Sequence, residues 1–296
     1  MSKSVAWMGK WTLMLGMTAA AACGDLGDDQ GDDPAASGQV SLASTIAGAQ
    51  LCADLEASVG GLCPDITEEP PTHLNIKRAH GEEWLRFSST HWNEGKGPLQ
   101  IRGGGQTQPC QVEENGIIID SICTFATQEI LDADRNVVYT QPAGVTVYHP
   151  DHNHWHQDNV ADFVLRSGSL DGPIVGQATK VTYCLIDYDS GKNGLTSEKF
   201  YFDCDGEMQG ISVGFGDEYH HATHGQEVEI TGLPAGIYYL THEADPTNKW
   251  LELDDSNNTS WVKFRLRTDS KSGNHLLDWI ENSPCTGLAC GNTSNR

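Results

Sequence analysis

The sequence predicts an all-β fold: an antiparallel β-sandwich core with long loops, stapled by disulfides. Two observations predict it. Short runs rich in β-branched and aromatic residues recur from residue 73 onward, among them "HLNIKR", "EWLRFSS", "GIIIDSICTF", "VTVYH", "VADFVLRS", "KVTYCLID", "GIYYLTHEA" and "SWVKFRLR", with turn signals such as "DADRN", "TGLPAG" and "DDSNN" between them. Helical periodicity is scarce and no internal repeat is visible, so one domain accounts for the chain of 296 residues, whose 38% hydrophobic content suffices for a core.

The N-terminus reads as an export signal over residues 1–22. Lys3 and Lys10 precede a short apolar run from Trp11 to Ala22 that ends in small residues and is too short for a membrane span. Cys23 follows directly, which resembles a bacterial lipoprotein signal, although an alanine stands three residues before Cys23 where leucine is more usual. The expectation is an acylated Cys23 that anchors the protein at the bacterial outer membrane, facing the periplasm or the cell surface; without acylation the protein is secreted. Residues 23–45, including "GDLGDDQGDDPAASG", bury too little apolar surface to fold and read as a tether. The domain then runs over 46–296, with a tail from about Ser270 expected to lie as an extended cover.

Setting Cys23 aside leaves eight cysteines, an even set suited to disulfides in an exported chain. Proximity favours Cys52–Cys63, Cys110–Cys123 and Cys285–Cys290, which leaves Cys184 with Cys204. The net charge of −23 excludes a general nucleic-acid binder and disfavours electrostatic attachment to anionic membranes; it favours cationic partners or simply solubility. The oligomeric state is not readable.

Chemistry is concentrated in "YHPDHNHWHQD". His152, His154 and His156 alternate, so a strand would present all three on one face, able to converge on one ion, with Asn153 and Trp155 facing away and the indole expected in the core. Three imidazoles suit copper(II) or zinc in an exported protein. His149 is out of phase with them along the strand and reads as a neighbour of the site.

The segment "HPDHNHWH" resembles the H-x-x-H-x-H-x-H fingerprint of the lysyl oxidase family, copper-dependent amine oxidases, and the resemblance implies that His152, His154 and His156 are copper ligands. Further segments follow in the family's order, over roughly Cys63 to Arg267. "GQATKVTYCLID" matches the segment of the cofactor lysine, here Lys180. "QGISVGFGDEYHHATHGQEVEITGLPAGIYYL" matches that of the cofactor tyrosine, here Tyr219, with Asp217 two residues before it. The pair implies a lysine tyrosylquinone cofactor made from the protein's own side chains, and the deamination of primary amines with O2 to aldehyde, ammonia and hydrogen peroxide. Asp217 is the first candidate for the general base and His149 the second. "ELDDSNN" has the spacing of a calcium site found in some members, implying Glu252, Asp254, Asn257 and Asn258, with Asp65 and Ile66 from an early loop. The chain departs from the animal enzymes in lacking two of their cysteines and in carrying extra histidines, His220, His221, His224 and His242, expected to line the mouth of the site. The rival readings are an anchored copper- or zinc-binding β-sandwich without turnover, and a zinc hydrolase using the same three histidines.

Overall fold

The computed structural model describes residues 42–114, 117–150, 153–178, 182–190 and 199–291. The export signal, Cys23 and most of the expected tether lie outside these residues, as do His152 and Lys180.

Among the described residues the chain begins with helix α1 (Leu42–Val59) and continues through seventeen strands. These are β1 (Ile66–Glu68), β2 (Thr72–Ala79), β3 (Glu82–Asn93), β4 (Leu99–Arg102), β5 (Gln108–Glu114), β6 (Ile117–Leu131), β7 (Val137–His149), β8 (His154–Gln157) and β9 (Ala161–Ser167). There follow β10 (Ile174–Gln177), β11 (Asp189–Ser190), β12 (Met208–Ile211), β13 (Phe215–Tyr219), β14 (Glu227–Glu229), β15 (Gly236–Ala244), β16 (Thr259–Thr268) and β17 (His275–Asn282). Every pairing between these strands is antiparallel, as the sequence predicted.

The strands form three sheets: β1-β3-β13-β11, with β2 and β14 also on β3; β10-β9-β15-β16-β17; and β12-β4-β6-β7-β8, with β5 on β6. One hydrophobic cluster draws on all three, with Leu85 and Phe87 from the first, Leu165, Leu240, Phe264 and Leu266 from the second, and Leu99 and Ile101 from the third. The period of two explains the choice of residues. Along β16, Val262, Phe264 and Leu266 point inward while Lys263, Arg265 and Arg267 point out. Burying a side chain the size of Phe264 contributes about 2 kcal/mol, so this row anchors the sheet.

Two expectations need correction. Helix α1 begins at Leu42, inside the end of the stretch read as a tether, and its Cys52 bonds to Cys63, fastening it over a second cluster with Leu55, Ile130 and Leu251. The tail is not merely an extended cover, because His275–Asn282 pair with β16 as a full edge strand. The four expected disulfides are all formed. Cys184–Cys204 closes a loop of 20 residues; replacing both cysteines by serine is expected to lower stability by about 3 kcal/mol, measured by denaturant unfolding. A loss within error would show that the loop is equally constrained without the bond.

Candidate active site

The histidine hairpin is built by β7 and β8. Their register pairs His149 with His154 and Val147 with His156, so all four side chains share one face. The turn is tightened by Asn153, whose left-handed backbone (φ 59°) suits asparagine and whose Oδ1 accepts from the Tyr148 hydroxyl at 2.6 Å. His154 Nε2 and His156 Nε2 lie 3.0 Å apart, and the ring of His149 is 4.9 Å from that of His156. His149 therefore shares the face of the pair despite its phase: antiparallel folding brings it across from the partner strand. Trp155 does face away, but it packs edge-on against Tyr148 and is partly exposed rather than set in the core.

The segment 182–184 runs beside β8. Gln157 and Tyr183 exchange backbone hydrogen bonds at 2.7 and 3.0 Å, and His156 Nδ1 meets the Thr182 hydroxyl at 3.1 Å. The threonine hydroxyl can accept from Nδ1–H, the tautomer in which Nε2 of His156 keeps its lone pair toward His154 for a metal. On the other side of the segment, the Cys184 amide donates to the Tyr219 hydroxyl at 2.9 Å, and that hydroxyl donates back to the Cys184 carbonyl at 3.2 Å.

Tyr219 ends β13, with Asp217 two residues earlier on the same face. Asp217 is almost wholly buried, and Tyr219 packs edge-on against the ring of Tyr183 at 4.2 Å. Burial pushes the Tyr219 phenol well above its ordinary range, and the nearby Asp217 carboxylate adds to the effect. His154, His156, Asp217 and Tyr219 line one cavity of about 370 Å³, closed further by Cys184, Ile186 and Tyr188.

A second constellation joins the early and late loops. Asn257 Nδ2 donates to Asp65 Oδ1 at 3.0 Å, the Ile66 amide to Glu252 Oε2 at 2.7 Å, and Asn258 Nδ2 to Glu252 Oε1 at 2.8 Å. The amide oxygens Oδ1 of Asn257 and Asn258 are buried without a hydrogen-bond partner. Asp254 is half-buried and caps the short helix Asp255–Asn257 through Oδ1, which accepts from the Ser256 amide at 2.9 Å. Burial drives the Glu252 carboxyl well above the carboxylate range, Asp245 adds to it, and Asp255 is pushed up to about 6. Oxygen donors with buried lone pairs and crowded negative charge fit a hard cation. Gly95 makes the loop possible: a Cβ there would stand 2.4 Å from the Asp65 amide.

The extra histidines divide. His220 and His221 cluster with His73, with ring centres 3.9 to 6.1 Å apart, beyond the end of β13. His242 does not line the mouth: it is fully buried, because it occupies the inward row of β15 between Leu240 and Ala244. There it meets Glu68 and His91, two polar residues at inward positions that the sequence reading missed. The available signal was a histidine standing at a core position of an alternating strand.

An antiparallel β fold with a histidine hairpin facing a buried aspartate and a tyrosine defines the class: β-sheet proteins with an imidazole and phenol site. The lysyl oxidase family model matches residues 127–274, half of the chain, which carries the hairpin, Asp217 and Tyr219, and the chain belongs to the lysyl oxidase family. It is 32% identical over 142 residues to lysyl oxidase homolog 2 of Gallus gallus, a match covering 48% of this chain and 17% of that protein. It is 34% identical over 124 residues to lysyl oxidase homolog 2B of Danio rerio (42% and 15%), and 30% over 137 residues to homolog 3B of the same species (46% and 16%). The chain thus spans only 15 to 17% of the length of these relatives.

Proposed function

We propose that the chain is an exported amine oxidase that holds copper through His152, His154 and His156 and forms a lysine tyrosylquinone from Lys180 and Tyr219. The observation that carries this reading is the meeting of His154, His156, Asp217 and Tyr219 in one cavity, with segment 182–184 bonded to His156 on one side and to Tyr219 on the other. Lys180 stands two residues before Thr182 in the sequence. When bound, the copper and quinone supply the oxidation chemistry and the electron sink.

The chain's own residues supply position and proton transfer. The Thr182 hydroxyl, bonded to Nδ1, orients the ring of His156. Hydrogen bonds from Cys184 orient the Tyr219 ring. Asp217, buried beside that ring, is placed to accept the proton lost from the substrate carbon, and His149 is the alternative. The net reaction takes a primary amine, O2 and water to aldehyde, ammonia and hydrogen peroxide, and the charge of −23 favours cationic amines, lysyl side chains or small amines. Calcium held by Asp65, the Ile66 carbonyl, Glu252, Asp254, Asn257 and Asn258 would clamp the early loop to the late one. Four disulfides fit an oxidising compartment, in keeping with export and a lipid anchor on Cys23.

A peptide map of protein expressed with copper tests the reading. The expected result is one cross-linked species joining the peptides of Lys180 and Tyr219, with quinone absorbance. Two separate peptides and no reaction with hydrazines would leave the metal-binding sandwich without turnover, or zinc hydrolysis if ester or peptide cleavage is found.

A further inference from the structure

The interior holds a second set of donor atoms that neither the hairpin nor the calcium loops use. Glu68, His91 and His242 are 3%, 1% and 0% exposed. Their meeting follows from register. Glu68 and His91 are directly paired between β1 and β3 and share a face, while His242 projects inward from β15 of the neighbouring sheet.

Glu68 Oε1 lies 2.6 Å from His91 Nδ1, Glu68 Oε2 lies 2.7 Å from His242 Nε2, and the donor atoms all fall within 4.8 Å of one another. The two contacts differ in kind. The first is a hydrogen bond. The second is a close contact between a carboxylate oxygen and an imidazole nitrogen, and the other ring nitrogen of His91, Nε2, is buried without a hydrogen-bond partner.

The tautomer of His242 sharpens the point. Its Nδ1 faces the Glu69 carbonyl oxygen at 3.2 Å, which can only accept, so Nδ1 carries a proton and Nε2 is the ring atom turned to Glu68, where it holds either a second proton or a metal ion. The same carbonyl accepts from the Ser260 hydroxyl at 3.1 Å, and the ring stacks on Phe163 at 4.6 Å, so the imidazole is held in place. A lone pair and a carboxylate oxygen 2.7 Å apart in a dry interior repel each other unless positive charge lies between them.

We propose that Glu68, His91 and His242 form a second metal site, separate from the hairpin, that takes a first-row divalent ion of the zinc type. Two imidazoles and a carboxylate are too nitrogen-rich for calcium or magnesium and match a common zinc donor set. Zinc–nitrogen bonds of about 2.0 Å place tetrahedral donors about 3.3 Å apart, so an entering ion spreads the two short pairs by less than 1 Å and draws in the longest. Lying between two sheets, the ion acts as a clamp that ties β1 and β3 to β15. His91 is also paired with Asp217 across β3 and β13, so the clamp fixes the strand that carries Asp217 and Tyr219.

The test uses the full chain with His152, His154 and His156 all replaced by alanine, which removes the hairpin centre and leaves the interior cluster. The metal-stripped protein is titrated with zinc, and with cobalt as a spectroscopic probe. The expected result is one tight equivalent, tetrahedral cobalt absorption and a rise in melting temperature on zinc addition. Adding His242→Gln to this background is expected to abolish all three, and Glu68→Gln serves if that variant does not fold. X-ray absorption at the zinc edge of the hairpin-free protein should show nitrogen and oxygen donors only. Absence of tight zinc in the hairpin-free protein overturns the proposal and identifies the cluster as a proton-sharing imidazole and carboxylate chain. Retention of zinc in the His242→Gln protein overturns it equally. Neither outcome depends on the quinone, so amine oxidation can stand or fall separately.

Discussion

Tyr219→Phe is expected to abolish amine-dependent peroxide production, by about 10³-fold or more, while copper content stays at the parent level. The phenol oxygen is the atom that ring oxidation must start from, whereas the metal would be held by the hairpin histidines. The substitution also removes the hydroxyl that bonds both the amide and the carbonyl of Cys184, so a modest loss of about 1–2 kcal/mol in stability should accompany it. Measuring turnover and metal content on the same preparation separates the two effects. Peroxide production at the parent rate would remove Tyr219 from the cofactor; loss of copper together with activity would instead make its hydroxyl part of the metal site.

Chelating calcium at pH 7.5 is expected to destabilise the protein by about 3 kcal/mol or more, roughly 10 °C in melting temperature, because Glu252 is then buried with no cation beside it and only the Ile66 amide and the Asn258 side chain to offset its charge. The pH dependence has a definite sign. Glu252, crowded by Asp245 and Asp255, and Asp255, crowded by Asp245, Asp254 and Asp65, have folded-state pKa values raised above their unfolded ones. Their charged forms therefore disfavour folding above the folded pKa, and protonation relieves this as pH falls through about 6 for Asp255. The stabilisation that calcium confers should accordingly be larger at pH 7.5 than at pH 5.5. Glu252→Gln should be more stable than the parent without calcium at pH 7.5 and gain little from its addition. Equal melting temperatures with and without chelator at pH 7.5 would show that the loops hold no calcium.

The sequence made the β architecture legible because its alternation is strong: rows such as Val262, Phe264 and Leu266 face in, and lysine and arginine face out. The disulfide pairing was legible because the bonded cysteines are also sequence neighbours, 5 to 20 residues apart. Helix α1 was not. "LASTIAGAQLCADLEASV" is rich in small residues and has no clear apolar stripe, so its docking relies on Cys52, Leu55 and contacts brought together only by folding. His149 was read as a neighbour of the site, but that it shares the face of His154 and His156 was not legible, because phase along one strand says nothing about the partner strand once a hairpin turns. The fate of His242 was hidden for a similar reason: its partners stand on β1 and β3, more than 150 residues earlier. Of the proposed catalytic set, the structure brings His154, His156, Asp217 and Tyr219 together, which motif spacing alone could not demonstrate.

The short segment between His156 and Tyr219 has a consequence for the protein's history after translation. A covalent link from Lys180 to Tyr219 would enclose Cys184, which is itself bonded to Cys204. The disulfide already shortens the path between the two ends of the link to about 20 residues, so closing it would still remove about 3 kcal/mol of chain entropy from the unfolded state. Young and aged molecules of identical sequence would then differ in durability: self-processing would equip the protein for chemistry and also harden it, and heat would select the finished molecules from the unfinished.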